Sequence, residues 1–319
     1  MTMISVKNLI KKYGDFAAVN DVSFDVKKGE IFGFLGPNGA GKTSTINMMI
    51  GLLKPNSGRI TINEIDVIKQ TKKAQEIMGI VADESNLYNE MNGFENLCFC
   101  GALYGMKKKE REHKARELLK LFKLTDASTK TFKSYSKGMK RKLTIAAALI
   151  HSPKILFLDE PTTGIDVESS RQIRELLLQL KNNGTTIFIT THYIEEAERL
   201  CDRIAFIVQG KIVASGTISE LMDKITQNHN VHIITNKDVQ DYITDFQKCF
   251  KESKVSLKKP NKLVIETEKR IPLLPILKFF QEKEIEVYEA KEIHPSLEEV
   301  FIKLTGIETS VLQKEKGGF

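Results

Sequence analysis

A chain of 319 residues, 41% hydrophobic and 28% charged, has the composition of a soluble globular protein with room for one large core and a second, smaller one. Its apolar runs, such as Ile145 to Ile150, stop at charges and prolines far short of a bilayer span, and Met1 to Lys7 leads into strand-like sequence rather than a secretory signal, so a cytoplasmic location is expected. The net charge of +7 permits an anionic partner without requiring one, while Cys98, Cys100, Cys201 and Cys249 lack both metal-site and disulfide-framework spacing and read as reduced structural thiols.

Strand-like runs cover Ile4–Ile10, Ala18–Val26 and Glu30–Leu35, separated by turn signals at Gly14-Asp15 and Lys28-Gly29, with Tyr13 alone between the first two. Directly after the third run stands Gly36-Pro37-Asn38-Gly39-Ala40-Gly41-Lys42-Thr43, followed by helical sequence from Ser44. The spacing G-x-x-x-x-G-K-[ST] between a strand and a helix is a phosphate cradle: glycines let main-chain N–H groups turn inward, and the helix dipole points at the anion. In that arrangement Lys42 reaches the outer phosphates and Thr43 offers its hydroxyl to Mg²⁺. An aromatic ring such as Tyr13 just ahead of the cradle is placed to stack on a base.

A turn at Lys54–Gly58 leads to a strand pair, Arg59–Asn63 and Ile65–Val67, then a short helix over 71–78 and a buried strand, Gly79–Ala82, ending at Asp83. From about 92 to 149 the period is helical, with Leu118, Leu119, Phe122 and Leu124 on one apolar face, which predicts a helical insertion between two parts of an α/β sheet. The basic run 107–117 is interleaved with glutamates and reads as a solvated helix face. The sheet resumes at Lys154–Leu158 and closes on Asp159-Glu160, one carboxylate suited to holding a metal through its water shell and one to polarising an attacking water. A helix over 167–181, a strand over 185–190 and then His192 follow, the histidine lying where the carboxyl edge of a parallel sheet binds ligands.

With these two motifs and the segment between them, the chain resembles the ATP-binding cassette (ABC) family, because Tyr135-Ser136-Lys137-Gly138-Met139-Lys140-Arg141-Lys142 looks like that family's signature, whose usual core is Leu-Ser-Gly-Gly-Gln. Ser136 and Gly138 match that core, while Tyr135, Lys137 and Met139 depart from it as in ATPase subunits of ABC-2 type exporters. The resemblance extends over roughly residues 3–222 and ends at the hairpin 208–216. It implies ATP and Mg²⁺ as cofactors, with Gly36 to Ser44 around the phosphates, Tyr13 on adenine, Thr43 and Asp159 at the metal, Glu160 and His192 as catalytic groups, and Asp166 in the D-loop crossing a dimer interface. Asp83 stands where the family usually has a glutamine and is carried over as a metal ligand.

Ser136, Lys137, Gly138 and Met139 are implied to serve the ATP of a second subunit, giving a head-to-tail dimer, a homodimer by expectation. Separate integral membrane permease subunits, docking near Asp83–Glu90 and the helical insertion, are the other implied partners, and no nucleic acid is expected. The chain would then sit peripherally on the cytoplasmic face of the membrane and drive export, the permease choosing the substrate. A rival is a soluble ABC ATPase acting on ribosomes or DNA, against which stand the single cassette and the absence of a heptad run.

Beyond the cassette, placed at 1–224 with its helical subdomain at about 86–150, the order strand, helix, two strands, helix, strand suggests a small α+β, ferredoxin-like module over 225–306. His229, His232 and His294 read as isolated, structural or exposed residues. A closing helix begins at Pro295 or Ser296 with Leu297, Val300, Phe301 and Leu304 on its apolar face, and 307–319 reads as a flexible tail.

Overall fold

β1 (Thr2–Tyr13) and β2 (Phe16–Lys27) are long antiparallel partners in a computed structural model of the chain, which describes residues 1–83, 87–224, 229–268, 271–293 and 295–307. Tyr13 is not alone between strands: it ends β1 and pairs with Phe16 across the Gly14-Asp15 turn, so both rings stand at one hairpin tip. β3 (Ile31–Leu35) is buried throughout and leads through the glycine-rich loop into α1 (Lys42–Met49). β4 (Ser57–Ile62) and β5 (Ile65–Asp66) complete a four-stranded antiparallel sheet of order β2-β1-β4-β5. The next helix is shorter than its sequence suggests: α2 covers Thr71–Gln75, and the chain has already become strand β6 at Met78–Val81.

The helical insertion consists of α3 (Gly93–Leu103), α4 (Lys108–Leu121) and α5 (Lys137–Ala148), with two 3-10 turns before α5. Asn92 and Glu95 form a reciprocal capping box that starts α3. α4 buries Leu118 and Leu119 and carries ion pairs such as Lys114 to Glu117 on its outer face, as a solvated amphipathic helix should. β7 (Ile155–Asp159), α6 (Val167–Asn182), β8 (Thr186–Thr191), α7 (Ile194–Leu200), β9 (Arg203–Val208), β10 (Lys211–Thr217) and α8 (Ile218–Asp223) follow.

The second sheet has six strands in the order β10-β9-β3-β8-β7-β6, all parallel except the edge strand β10. β3, β7 and β8 are buried on both faces, and β3 and the first four residues of β7 accordingly read as continuous apolar runs, while β8 buries threonines at its ends. Phe24, Phe32, Phe34, Phe157 and Phe188 meet with ring centroids 5.5 to 5.9 Å apart, and Val6, Ile60 and Met49 belong to the same core. Offset aromatic pairs of this kind contribute about 0.5–1.5 kcal/mol each beyond the area they bury. Because β3, β8 and β7 are neighbours, their carboxyl ends present three loops side by side, and these carry every catalytic group expected from the sequence.

Residues cluster into two compact units, Met1–Ile218 with the described residues from Leu304 on, and Ser219–Lys303. The smaller unit contains β11 (His229–Thr235), α9 (Ile243–Cys249), β12 (Ser253–Lys259), β13 (Lys262–Thr267), α10 (Leu273–Glu282) and β14 (Val287–Ile293), with an antiparallel sheet of order β12-β13-β11-β14. Its core is Val231, Ile233, Phe246, Leu263, Ile265, Ile276 and Phe280, supplied by alternate strand positions and one stripe of each helix. His229 is not isolated, since its Nδ1 lies 2.8 Å from Glu292 Oε1 across the β11 and β14 pairing. α11 (Leu297–Thr305) is started by Ser296 and Glu299, each bonding the other's main-chain N–H, and it buries Leu297, Val300 and Phe301 while Leu304 is only half-buried. His294 and the tail from 308 fall outside the described residues, as does 84–86 of the expected docking segment.

Candidate functional site

Gly41 precedes α1 with φ 102°, a left-handed conformation that an L side chain would strain, and an added Cβ would lie 2.4 Å from the carbonyl of Ala18. α1 has neither a side-chain cap nor an acidic residue in its first turn, so its positive end faces the loop without a carboxylate of its own. Lys42 is buried and folds back over the loop, donating from Nζ to the carbonyls of Gly36 at 2.7 Å and Pro37 at 3.2 Å and lying 3.5 Å from Glu160 Oε1. Burial lowers its pKa, with the charges of Glu160 and Asp159 opposing that shift.

β7 delivers the two carboxylates to different jobs. Asp159 is buried at the strand end, accepts from the hydroxyls of Thr190 and, at 3.2 Å, Thr43, and burial pushes its pKa up against those bonds. Glu160 has left the strand with φ 51°, a left-handed conformation for a residue other than glycine. Its Oε2 accepts from Thr163 Oγ1 at 2.9 Å and lies 2.8 Å from His192 Nδ1, which reaches it from the end of β8. Burial would raise this carboxyl, but the bond and charge of His192, together with Lys42 and Thr163, hold it below the usual glutamate range. An acceptor kept ionised between a lysine and a histidine suits a group that must take a proton.

A cavity of about 450 Å³ opens over these groups, lined by Tyr13, Pro37, Asn38, Gly39, Gly41, Lys42, Thr43, Ser44, Asp83, Asp159 and Glu160. Gly36, Ala40 and His192 are one hydrogen bond removed, through Lys42, Pro37 and Glu160 respectively. Thr43, Asp159 and Asp83 line one cavity, and their hard oxygens are of the donor type that suits a magnesium ion. Ser136, Lys137, Gly138, Met139 and Asp166 do not line this cavity.

They form a second locus at the start of α5 and α6. Ser136 caps α5 by accepting from the N–H of Met139 at 3.2 Å, and both Ser136 and Lys137 are exposed. Gly138 is buried because α6 leaves no room: an added Cβ would sit 2.1 Å from Ser169 Oγ and 3.3 Å from Asp166 Oδ2. Asp166 in turn caps α6 through the N–H of Ser169 at 2.8 Å.

Three residues of the site escaped the sequence reading. Phe16 lines the cavity beside Tyr13, and only the strand register places it there. Glu196, buried on α7, accepts from Thr162 at 2.5 Å and Thr191 at 3.3 Å, thereby joining the loops that follow β7 and β8. Arg141 is buried on α5 and donates to four main-chain carbonyls. A charge on the stripe Gly138, Arg141, Ile145, Ala148, otherwise small or apolar, was the available signal.

Among the described residues, no helix is long and apolar enough to cross a membrane. Residues 19–163 match the family model described as ABC transporter. The linearmycin resistance ATP-binding protein LnrL of Bacillus subtilis is 44% identical over 70% of the chain and 72% of its own length. The daunorubicin resistance ATP-binding protein DrrA3 of Streptomyces coeruleorubidus is 33% identical over 96% of both chains. Among solved structures, a dimeric ATP-binding cassette in a post-hydrolysis state with ADP and Pi aligns at 27% identity and TM-score 0.62, covering 68% of this chain and 99% of that one.

Proposed function

This chain belongs to the ABC transporter family, and on that premise we propose that it is the ATPase subunit of an exporter of the ABC-2 type, working as a homodimer beneath separate membrane permeases. It hydrolyses ATP. The observation that carries the reading of the site is the row Lys42, Glu160, His192, in which one ionised carboxylate is held between a phosphate-loop lysine and the histidine after β8.

In this reading Gly36 to Ser44 surround the phosphates, and Tyr13 stacks on adenine with Phe16 beside it. Lys42 exchanges its loop carbonyls for phosphate oxygens. Thr43, Asp159 and Asp83 would hold Mg²⁺, whose chemistry is to neutralise charge on the phosphates. Glu160 takes the proton of the attacking water, and His192 fixes the orientation of its carboxylate.

Ser136 to Met139 and Asp166 lie away from the chain's own cavity, which supports a head-to-tail dimer in which they complete the pocket of the other copy. Export is supported by the resistance proteins named among its relatives, and the chain then sits on the cytoplasmic face through its permease. The strand order of the smaller unit supports a ferredoxin-like accessory module after the cassette. Specific activity should rise with protein concentration as dimers form. A strictly monomeric form, defined by light scattering and turning over at full rate, would overturn the shared pocket.

The carboxylate environment gives a pH signature. Glu160 is held low chiefly by His192, against the opposing effect of burial, so in the intact site the base stays ionised to lower pH than an ordinary glutamate. His192→Ala removes that hold and raises the Glu160 pKa. The acid limb of the kcat profile should therefore move to higher pH, and an unmoved limb would separate the two residues.

A further inference from the structure

Arg141 has no place in the chemistry above, yet it is buried and its hydrogen bonds go to main-chain carbonyls rather than to carboxylates. Its Nη2 donates to Asp159 O at 2.5 Å and its Nε to Pro161 O at 2.9 Å, the carbonyls on either side of Glu160. From the other edge of the same guanidinium, Nη1 donates to Ala82 O at 2.5 Å and Asp83 O at 3.1 Å, just past the end of β6.

Between those two clamped carbonyls the backbone of Glu160 is left-handed, which for a glutamate persists only where the surroundings over-determine it. The Glu160 N–H is also engaged, by Thr190 O at 3.1 Å. We propose that Arg141 is a positioning residue for Glu160, its planar fork fixing the peptide unit before Glu160 and the one after Pro161 and tying both to the segment after β6. Five donors fixed in one plane can serve four separate carbonyls, whereas a lysine ammonium offers three donors from a single point. The inference rests on the reading of Glu160 as the base. A displacement of the 82–83 segment would reach the base through this one side chain.

The test uses the full-length chain, with Arg141→Ala, Arg141→Lys and both combined with Glu160→Gln. Arg141→Ala should lower kcat by about 100-fold, the cost of misplacing a reacting group by roughly an ångström, with KM for ATP and ATP affinity by calorimetry unchanged. Arg141→Lys should recover part of that loss, and it carries the same cycle if the alanine variant does not fold. In the Glu160→Gln background either Arg141 change should add no further loss in single-turnover hydrolysis, because the group it positions is already gone. An unchanged kcat in Arg141→Ala, or an equal loss in both backgrounds, would overturn the proposal while leaving Glu160 as the base. Wild-type turnover in Glu160→Gln alone would instead remove the base assignment, and the proposal with it.

Discussion

Glu160→Gln should lower kcat by about 10²–10⁴-fold, the contribution of a positioned general base, while ATP binding persists and the nucleotide-bound dimer accumulates. The carboxamide preserves the shape of the group, so its carbonyl oxygen can still accept from His192 and Thr163, and the loop is untouched. What disappears is the ionised acceptor that His192, Lys42 and Thr163 keep in its charged form. Removing a negative charge beside the phosphates also relieves repulsion, so affinity should hold or improve. Phosphate release measures the first effect and ATP-dependent size-exclusion chromatography the second. Turnover at the wild-type rate would show that another group takes the proton.

The contrasting change is Lys42→Ala, which should weaken ATP binding roughly 100-fold, consistent with the ~2–5 kcal/mol lost on truncating one partner of a buried charged hydrogen-bonded pair. Lys42 is buried with its ammonium held by Gly36 O and Pro37 O, so the charge is already desolvated and aimed across the loop before any phosphate arrives. Pre-organisation of this kind is lost entirely with the side chain. A second consequence follows for Glu160, which has Lys42 at 3.5 Å and should become easier to protonate without it. Isothermal calorimetry distinguishes the two variants: Glu160→Gln keeps affinity and loses turnover, whereas Lys42→Ala loses affinity first. Unchanged affinity in Lys42→Ala would remove the lysine from the phosphate site.

Local grammar explains why the loop and the two strand ends were legible in the sequence. Gly36 to Thr43 and Asp159-Glu160 are contiguous, and the apolar runs before them announce buried parallel strands. Tyr13 was seen and Phe16 was not, because only the pairing of β1 with β2 turns the two into neighbours. Arg141 and Glu196 act across 59 and 34 positions of sequence, on Ala82 and Thr162, and no short pattern records such distances. The helix over 71–78 was overextended because Met78 reads equally well on a helical stripe and at the start of a buried strand, and its pairing with Ile155 decides the matter. His229 was misread as isolated for a similar reason, its partner Glu292 standing on the adjacent edge strand.

The missing Cβ of Gly138 has a consequence for timing. With Ser169 and Asp166 pressed against it, the tip of α5 and the start of α6 are packed in direct contact. In the proposed dimer, whatever withdraws Ser136 from the opposite copy's phosphates withdraws Asp166 in the same stroke. Both contacts to that pocket would therefore release in step, and even a Gly138→Ala change, by prying the two helices apart, would let one contact lag behind the other.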